Sequence, residues 1–201
     1  MVCFAESTKS TLSKERQSTR MARYAMVIDT RRCIGCHSCT VACRTHNELS
    51  LGMIYNPVPT TGPTGKFPYV HMSHLPLLCM HCANPPCVDC CPTGASQQRA
   101  DGVVFIDQAK CVSCKTCIMS CPYGARKANH ETGTAQKCDF CKDRLPEGKP
   151  PHCVATCHQK ARIFGDLSDP TSEVYKLVNT EKVTQLHDYL GTEPHVFYIV
   201  S

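Results

Sequence analysis

No run of eighteen apolar residues occurs in this 201-residue chain, so no segment is expected to cross a membrane as a helix. Its start lacks the apolar h-region of a secretory signal, so no export signal of its own is expected. There is no glycine-rich phosphate loop of the G-x-G-x-x-G or G-x4-G-K type, and no nucleophile motif. That leaves no catalytic apparatus, and no catalytic residue is expected. The chain is also short of core-forming side chains. Hydrophobic residues make up 42%, but 18 of them are cysteine, and without these about a third of the chain is apolar. A core that lean depends on covalent or metal staples.

What the chain does have is cysteine. Eighteen is near the density of a disulfide scaffold, but the spacing argues otherwise. Cys111, Cys114, Cys117 and Cys121 stand at C-x2-C-x2-C-x3-C, followed by Pro122. This is the iron–sulfur pattern of bacterial ferredoxins. Three thiolates so close together can curl one loop around three corners of an Fe4S4 cube. The fourth, just inside a helix, points away toward a different cube. Cys33, Cys36, Cys39 and Cys43 repeat the spacing. Cys79, Cys82, Cys87 and Cys91 form another group, with Asn84-Pro85-Pro86 in a longer middle gap. Cys91 is preferred to its neighbour Cys90 because it keeps the last gap and precedes Pro92. Cys138, Cys141, Cys153 and Cys157 complete the set, with a basic, proline-bearing surface excursion at 142–152.

Four groups of four match the demand of four [4Fe-4S] clusters. A tetrahedral zinc site would leave the third cysteine of the first and third groups without a use. Cys33-Ile34-Gly35-Cys36-His37 also fits the c-type haem signature, but haem attachment would leave Cys39 and Cys43 unexplained. His37 is expected to be solvated or to lie beside a cluster. The formal charge is +5. Cubes at roughly −2 each would bring the loaded protein to about −3, so basicity is no argument for a nucleic-acid partner. None is expected.

Along the chain, residues 1–22 are polar and aperiodic, and disorder is expected there, with Cys3 a spare thiol and Met21 resembling a natural start. Tyr24–Asp29 and Gly102–Asp107 each read as a strand ending in Asp and feeding a cysteine group, an internal repeat. Residues 44–78 read as a Pro- and Gly-rich insertion loop with a short strand near Tyr69–Met72 and solvated His46, His71 and His74. Ala161–Gly165 reads as a closing strand. Asp169-Pro170 suggests a helix N-cap, with Val174, Leu177 and Val178 on one helical face. A second short helix is expected up to Leu190, stopped by Gly191, then a terminal strand over His195–Val200.

Because each fourth cysteine serves a neighbour, the groups must pair. The second and third are adjacent; the first and fourth remain. The expected fold is therefore α+β and loop-rich, with two ferredoxin-like lobes of two [4Fe-4S] clusters each, the second inserted in the first. The first lobe takes 23–78 and 130–201, including the insertion loop and tail; the second takes 79–129. With four protein ligands on every cube, no iron is open to substrate, and the chain reads as a multi-centre electron wire.

These groups, in this order, resemble the four-cluster electron-transfer subunits of the dimethyl sulfoxide reductase and polysulfide reductase type of molybdopterin oxidoreductase. The resemblance runs from about Tyr24 to Val200. It includes Tyr24–Asp29, Asn84-Pro85-Pro86-Cys87, Cys121-Pro122-Tyr123-Gly124-Ala125-Arg126, Lys137–Cys141, Phe164–Leu167 and Gly191–Pro194. It implies one cube on Cys33, Cys36, Cys39 and Cys157, and another on Cys138, Cys141, Cys153 and Cys43. It implies a third on Cys79, Cys82, Cys87 and Cys121, and a fourth on Cys111, Cys114, Cys117 and Cys91. His158 departs from the Pro usual after the last cysteine. The implied partners are a molybdopterin catalytic subunit and an integral-membrane quinone-binding subunit. The implied location is peripheral, on the periplasmic face by co-export, with the cytoplasmic face left open. A free polyferredoxin and a zinc-stapled binding module are the competing readings. Polysulfide, thiosulfate, tetrathionate, sulfoxide, arsenate and nitrite all stay open as terminal substrates.

Overall fold

The computed structural model describes residues 21–200. The disorder expected of residues 1–20 and the thiol of Cys3 lie outside the described residues. The fold is α+β, with short elements and long connections. In chain order these are β1 Tyr24–Asp29, α1 Ser38–His46, β2 Thr60–Lys66, β3 Tyr69–His74, α2 Pro86–Asp89, β4 Ser96–Gln98 and β5 Val104–Ile106. Then come α3 Thr116–Met119, β6 Lys127–Ala128, β7 Ala135–Gln136, α4 His152–Ala155, β8 Arg162–Asp166, α5 Glu173–Thr180, β9 Val183–Thr184 and β10 Val196–Ile199.

β1 is the centre. Ala25, Met26, Val27 and Ile28 are all fully buried. A strand covered on both faces reads as a continuous apolar run, and its side chains still alternate in direction. Ala25 and Val27 pack with Ile163, Phe197 and Ile199 beneath Val174 of α5. Met26 and Ile28 point the other way, into a core with Leu78, Met80, Val103, Phe140, Val196 and Tyr198. The sheet order is β8-β1-β10-β9. β1 is antiparallel to β8 and parallel to β10, so the C-terminal strand closes onto the N-terminal one.

The internal repeat is visible in the backbone. Asp29 ends β1 and accepts the Arg31 N–H at 3.0 Å. Asp107 follows β5 and accepts the Ala109 N–H at 3.0 Å. Each opens one 3-10 turn, Thr30–Arg32 or Gln108–Lys110, that delivers the first cysteine of a group.

Three expectations are corrected. Residues 60–74 form a hairpin rather than a loop: β2 pairs with β3, with an irregularity between Thr61 and Thr64. Gly62, Pro63 and Gly65 hid it. A two-stranded ribbon consists only of edges, where proline is tolerated. Asp169 does not cap α5. Its carboxylate accepts the N–H of Thr171 at 2.8 Å in a local turn, and α5 begins after Ser172. The expected second helix is strand β9 and one 3-10 turn, Asp188–Leu190, still ended by Gly191 with φ +66°. β-branched Val183 and Thr184 instead take the free edge of β10.

Candidate cluster sites

Four cavities are each walled by four cysteines. Cys33, Cys36, Cys39 and Cys157 line one. Cys43, Cys138, Cys141 and Cys153 line another. Cys79, Cys82, Cys87 and Cys121 line a third. Cys91, Cys111, Cys114 and Cys117 line a fourth. Each cavity draws three thiols from one sequence group and one from another. All sixteen candidate residues fall in one of these cavities. Cys90 lines none of the four; it is half-buried and packs beside Cys87 and Cys117 in a small apolar cluster. All seventeen described cysteines are free.

The local chain explains how the thiols turn inward. After the 3-10 turns, His37 and Lys115 take left-handed backbone, φ +59° and +61°, and α1 and α3 start immediately afterwards. This reversal wraps the loop around the cavity before α1 carries Cys43 away, or the chain just past α3 carries Cys121 away. The hydroxyls of Ser38 and Thr116 reach the sulfurs of Cys36 and Cys114, both at 3.5 Å. Backbone N–H groups also donate to sulfur: Ala161 to Cys157 at 3.3 Å and Ser96 to Cys91 at 3.4 Å.

Exposure differs between cavities. Cys36 and Cys114 are exposed, and each is flanked by exposed apolar side chains. Ile34 and Val41 are 58% and 61% exposed, and their repeat equivalents Val112 and Met119 are 62% and 86% exposed. The other two cavities lie deeper. Between them His81 stacks on Phe140 with ring centroids 3.6 Å apart. These are equivalent residues of Cys79-x2-Cys82 and Cys138-x2-Cys141, and His81 is fully buried while accepting the Val104 N–H at 3.0 Å.

Burial pushes the thiols of Cys43, Cys82 and Cys141 up to about 12 and that of Cys87 up to about 11. Bare, these sulfurs hold their protons; a bound metal's positive charge reverses that preference. Hydrogen bonding with Ser38 and Thr116 holds the exposed Cys36 and Cys114 thiols below their ordinary value.

Three buried cations stand among the cavities: Arg126, Lys137 and Arg162, at 2%, 6% and 3% exposure. Arg126 lines two cavities and donates through Nη2 to Cys87 Sγ at 2.8 Å and Ser96 Oγ at 2.6 Å. Arg162 lines the Cys36 cavity and reaches Met26 Sδ at 3.8 Å. Lys137 donates to the carbonyls of Val104 and Cys138. None of the three is paired with a carboxylate among the described residues. Isolated buried cations are costly, so this protein is suited to anionic groups in its cavities. No role for these cations follows from the cysteine spacing. Their signal lies in the repeated Cys121-x3-Ala125-Arg126 and Cys157-x3-Ala161-Arg162.

Among the histidines, His37 and His71 are exposed. His74 hydrogen-bonds Thr60 Oγ1 at 2.8 Å. His46 is not merely solvated: its ring lies tilted against that of His152, centroids 4.2 Å apart, and 3.4 Å from the Asp143 carboxylate.

Residues 70–167 match the 4Fe-4S dicluster domain family. Over 204 residues the chain is 44% identical to a tetrathionate reductase subunit of Salmonella typhimurium, covering 99% of this chain and 81% of that protein. It is 40% identical over 210 residues to a selenate reductase subunit of Mesobacillus selenatarsenatis, covering 88% of this chain and 72% of that protein. It is 38% identical over 201 residues to a sulfite dehydrogenase subunit of Allochromatium vinosum, covering 89% of this chain and 83% of that protein. The chain belongs to the iron–sulfur subunits of the molybdopterin-type oxidoreductases, where its part is electron transfer rather than catalysis.

Proposed function

We propose that the chain binds four [4Fe-4S] clusters, one in each four-cysteine cavity. They relay electrons between a membrane quinone-binding subunit and a molybdopterin catalytic subunit in anaerobic respiration. The observation that carries this is the three-plus-one sharing of thiols in all four cavities. Among the described residues no three His, Cys, Asp or Glu side chains meet as a single ion requires. The thiols ring a volume, which suits a cube better than a mononuclear zinc. On this reading residues 79–129 form one ferredoxin-like lobe inserted between 23–78 and 130–201, which form the other.

When bound, each cube supplies a one-electron centre. The protein's own residues do the rest. Sixteen thiolates hold the cubes, and the N–H groups of Ala161 and Ser96 donate to ligand sulfurs. The apolar core of Met26, Met80, Val103 and Phe140 excludes water between cavities. Exposed Cys36 and Cys114, with their apolar flanks, suit contact with a different partner at each end. The chain would lie peripherally on the membrane through its quinone-binding partner, on the periplasmic face. A catalytic partner of the polysulfide, thiosulfate, tetrathionate or sulfoxide reductase type agrees with the likeness to the tetrathionate reductase subunit.

The test is anaerobic purification from native membranes with metals counted per chain. About sixteen irons, with molybdenum and a large co-purifying chain, is the expected result. Full iron without molybdenum or a large partner would favour a free polyferredoxin. Zinc without sulfide would end the cluster reading.

A further inference from the structure

Arg126 and Arg162 hold the same position in the repeat, five residues after the cysteine that crosses to the neighbouring group. Their places in space are related but not the same. Arg126 lies between the Cys82 and Cys114 cavities and lines both. Arg162 lines the Cys36 cavity, and its charge is felt by Cys39 there and by Cys153 of the Cys141 cavity. Both side chains are buried, and both keep buried N–H groups without a partner: Nε and Nη1 of Arg126 and Nη2 of Arg162. Guanidinium stays charged under all ordinary conditions. Two fixed charges, one between two cavities and the other on the wall of one and near Cys153 of its neighbour, are a costly arrangement that packing does not explain.

We propose that Arg126 and Arg162 set the reduction potentials of the four clusters, each raising the two cubes of its own pair. This rests on one cube occupying each cavity. A cube that takes one electron from a reductant gains one negative charge and breaks no bond. A cation at close range in a low-dielectric interior stabilises that reduced form more than the oxidised form. Arg126 also donates directly to a ligand sulfur of one cube, so its effect is larger on the Cys82 cube than on the Cys114 cube.

The experiment is anaerobic potentiometric titration of the intact protein, followed by electron paramagnetic resonance after iron and sulfide have been counted. The variants are R126Q, R162Q and the charge-keeping R126K and R162K. In each Gln variant two of the four midpoints should fall. At the wild-type midpoint the oxidised-to-reduced ratio should rise at least tenfold, about 59 mV for a one-electron couple. The Lys variants should stay near wild type. R126Q and R162Q should affect different pairs. Where a Gln variant does not load iron, S96D offers a second route. It sets a carboxylate at the hydroxyl that Arg126 touches and should lower the same pair as R126Q. Unchanged midpoints in a fully loaded Gln variant, or equal shifts in all four, would overturn the inference. Wild-type protein without about sixteen irons would instead overturn the four-cube assignment.

Discussion

Residues 79–136 and the two ends of the chain each contribute two cysteine-walled cavities, yet they are built of different material. In the middle region the longest strand has three residues, and the hairpins β4–β5 and β6–β7 form separate two-stranded sheets. The chain ends supply a four-stranded sheet with α5 packed across one face. An isolated hairpin is marginal in water. The middle region therefore leans on its metal, while the ends have the cluster beneath α5 to themselves and share the other core with Met80 and Val103. The buried arginines repeat the contrast. Arg126 is tied to a thiol and a hydroxyl, whereas Arg162 reaches a thioether.

Removing metal should separate the two regions most sharply. After anaerobic chelation, amide exchange should become fast across residues 96–136 and stay slow at Ala25–Ile28 and Val196–Ile199. Equal loss of protection in both would break the comparison.

The next largest effect is alkaline loss of the metal-free ends. Cys43 and Cys141 hold their protons up to about 12 when folded, against an ordinary value of 9.0. The unfolded chain loses those protons first, so stability is full below pH 9 and declines as pH rises toward about 12. Urea midpoints of the chelated protein at pH 7 and pH 10 should differ in that direction. A flat profile would mean that these thiols are not buried in the metal-free state.

Third, Met26→Ala opens a cavity between β1 and the Met80–Phe140 side of the core. It should cost about 2–5 kcal/mol, read as a lowered melting temperature. Val104→Ala in the middle region should cost less in the loaded protein, because the cubes hold that region in place.

The smallest effect contrasts the two turn aspartates. Asp29 is buried and accepts the N–H, Nε and Nη2 of Arg31; Asp107 is less buried, accepts one backbone N–H and pairs with the half-exposed Lys110 at 3.3 Å. Asp29→Ala should cost about 1–2 kcal/mol and Asp107→Ala about 0.5, by the range for capping side chains. Equal melting temperatures would remove the distinction.

Strand β1 was legible because four consecutive apolar residues ending at Asp leave few alternatives, and its recurrence before Cys111 exposed the repeat. Of the hairpin at 60–74, the strand near Tyr69–Met72 was legible and its partner Thr60–Lys66 was not. Its glycines and prolines are strand breakers in a sheet interior, and only an exposed ribbon tolerates them. The place of Arg126 was not legible either, since nothing local says that a charged side chain will be buried.

Sequence alone determined which cysteines form groups, because spacing within a short loop limits what its thiols can jointly surround. It also determined the central strand and the terminal strand, from apolar runs. Tertiary structure decided that β10 would lie parallel to β1, that Arg126 would stand between two cavities, and that Arg162 would be buried on the wall of a third. The strand pairing depends on segments more than a hundred residues apart meeting across one core, as Met26 does with Val196. Local pattern carries no record of such meetings.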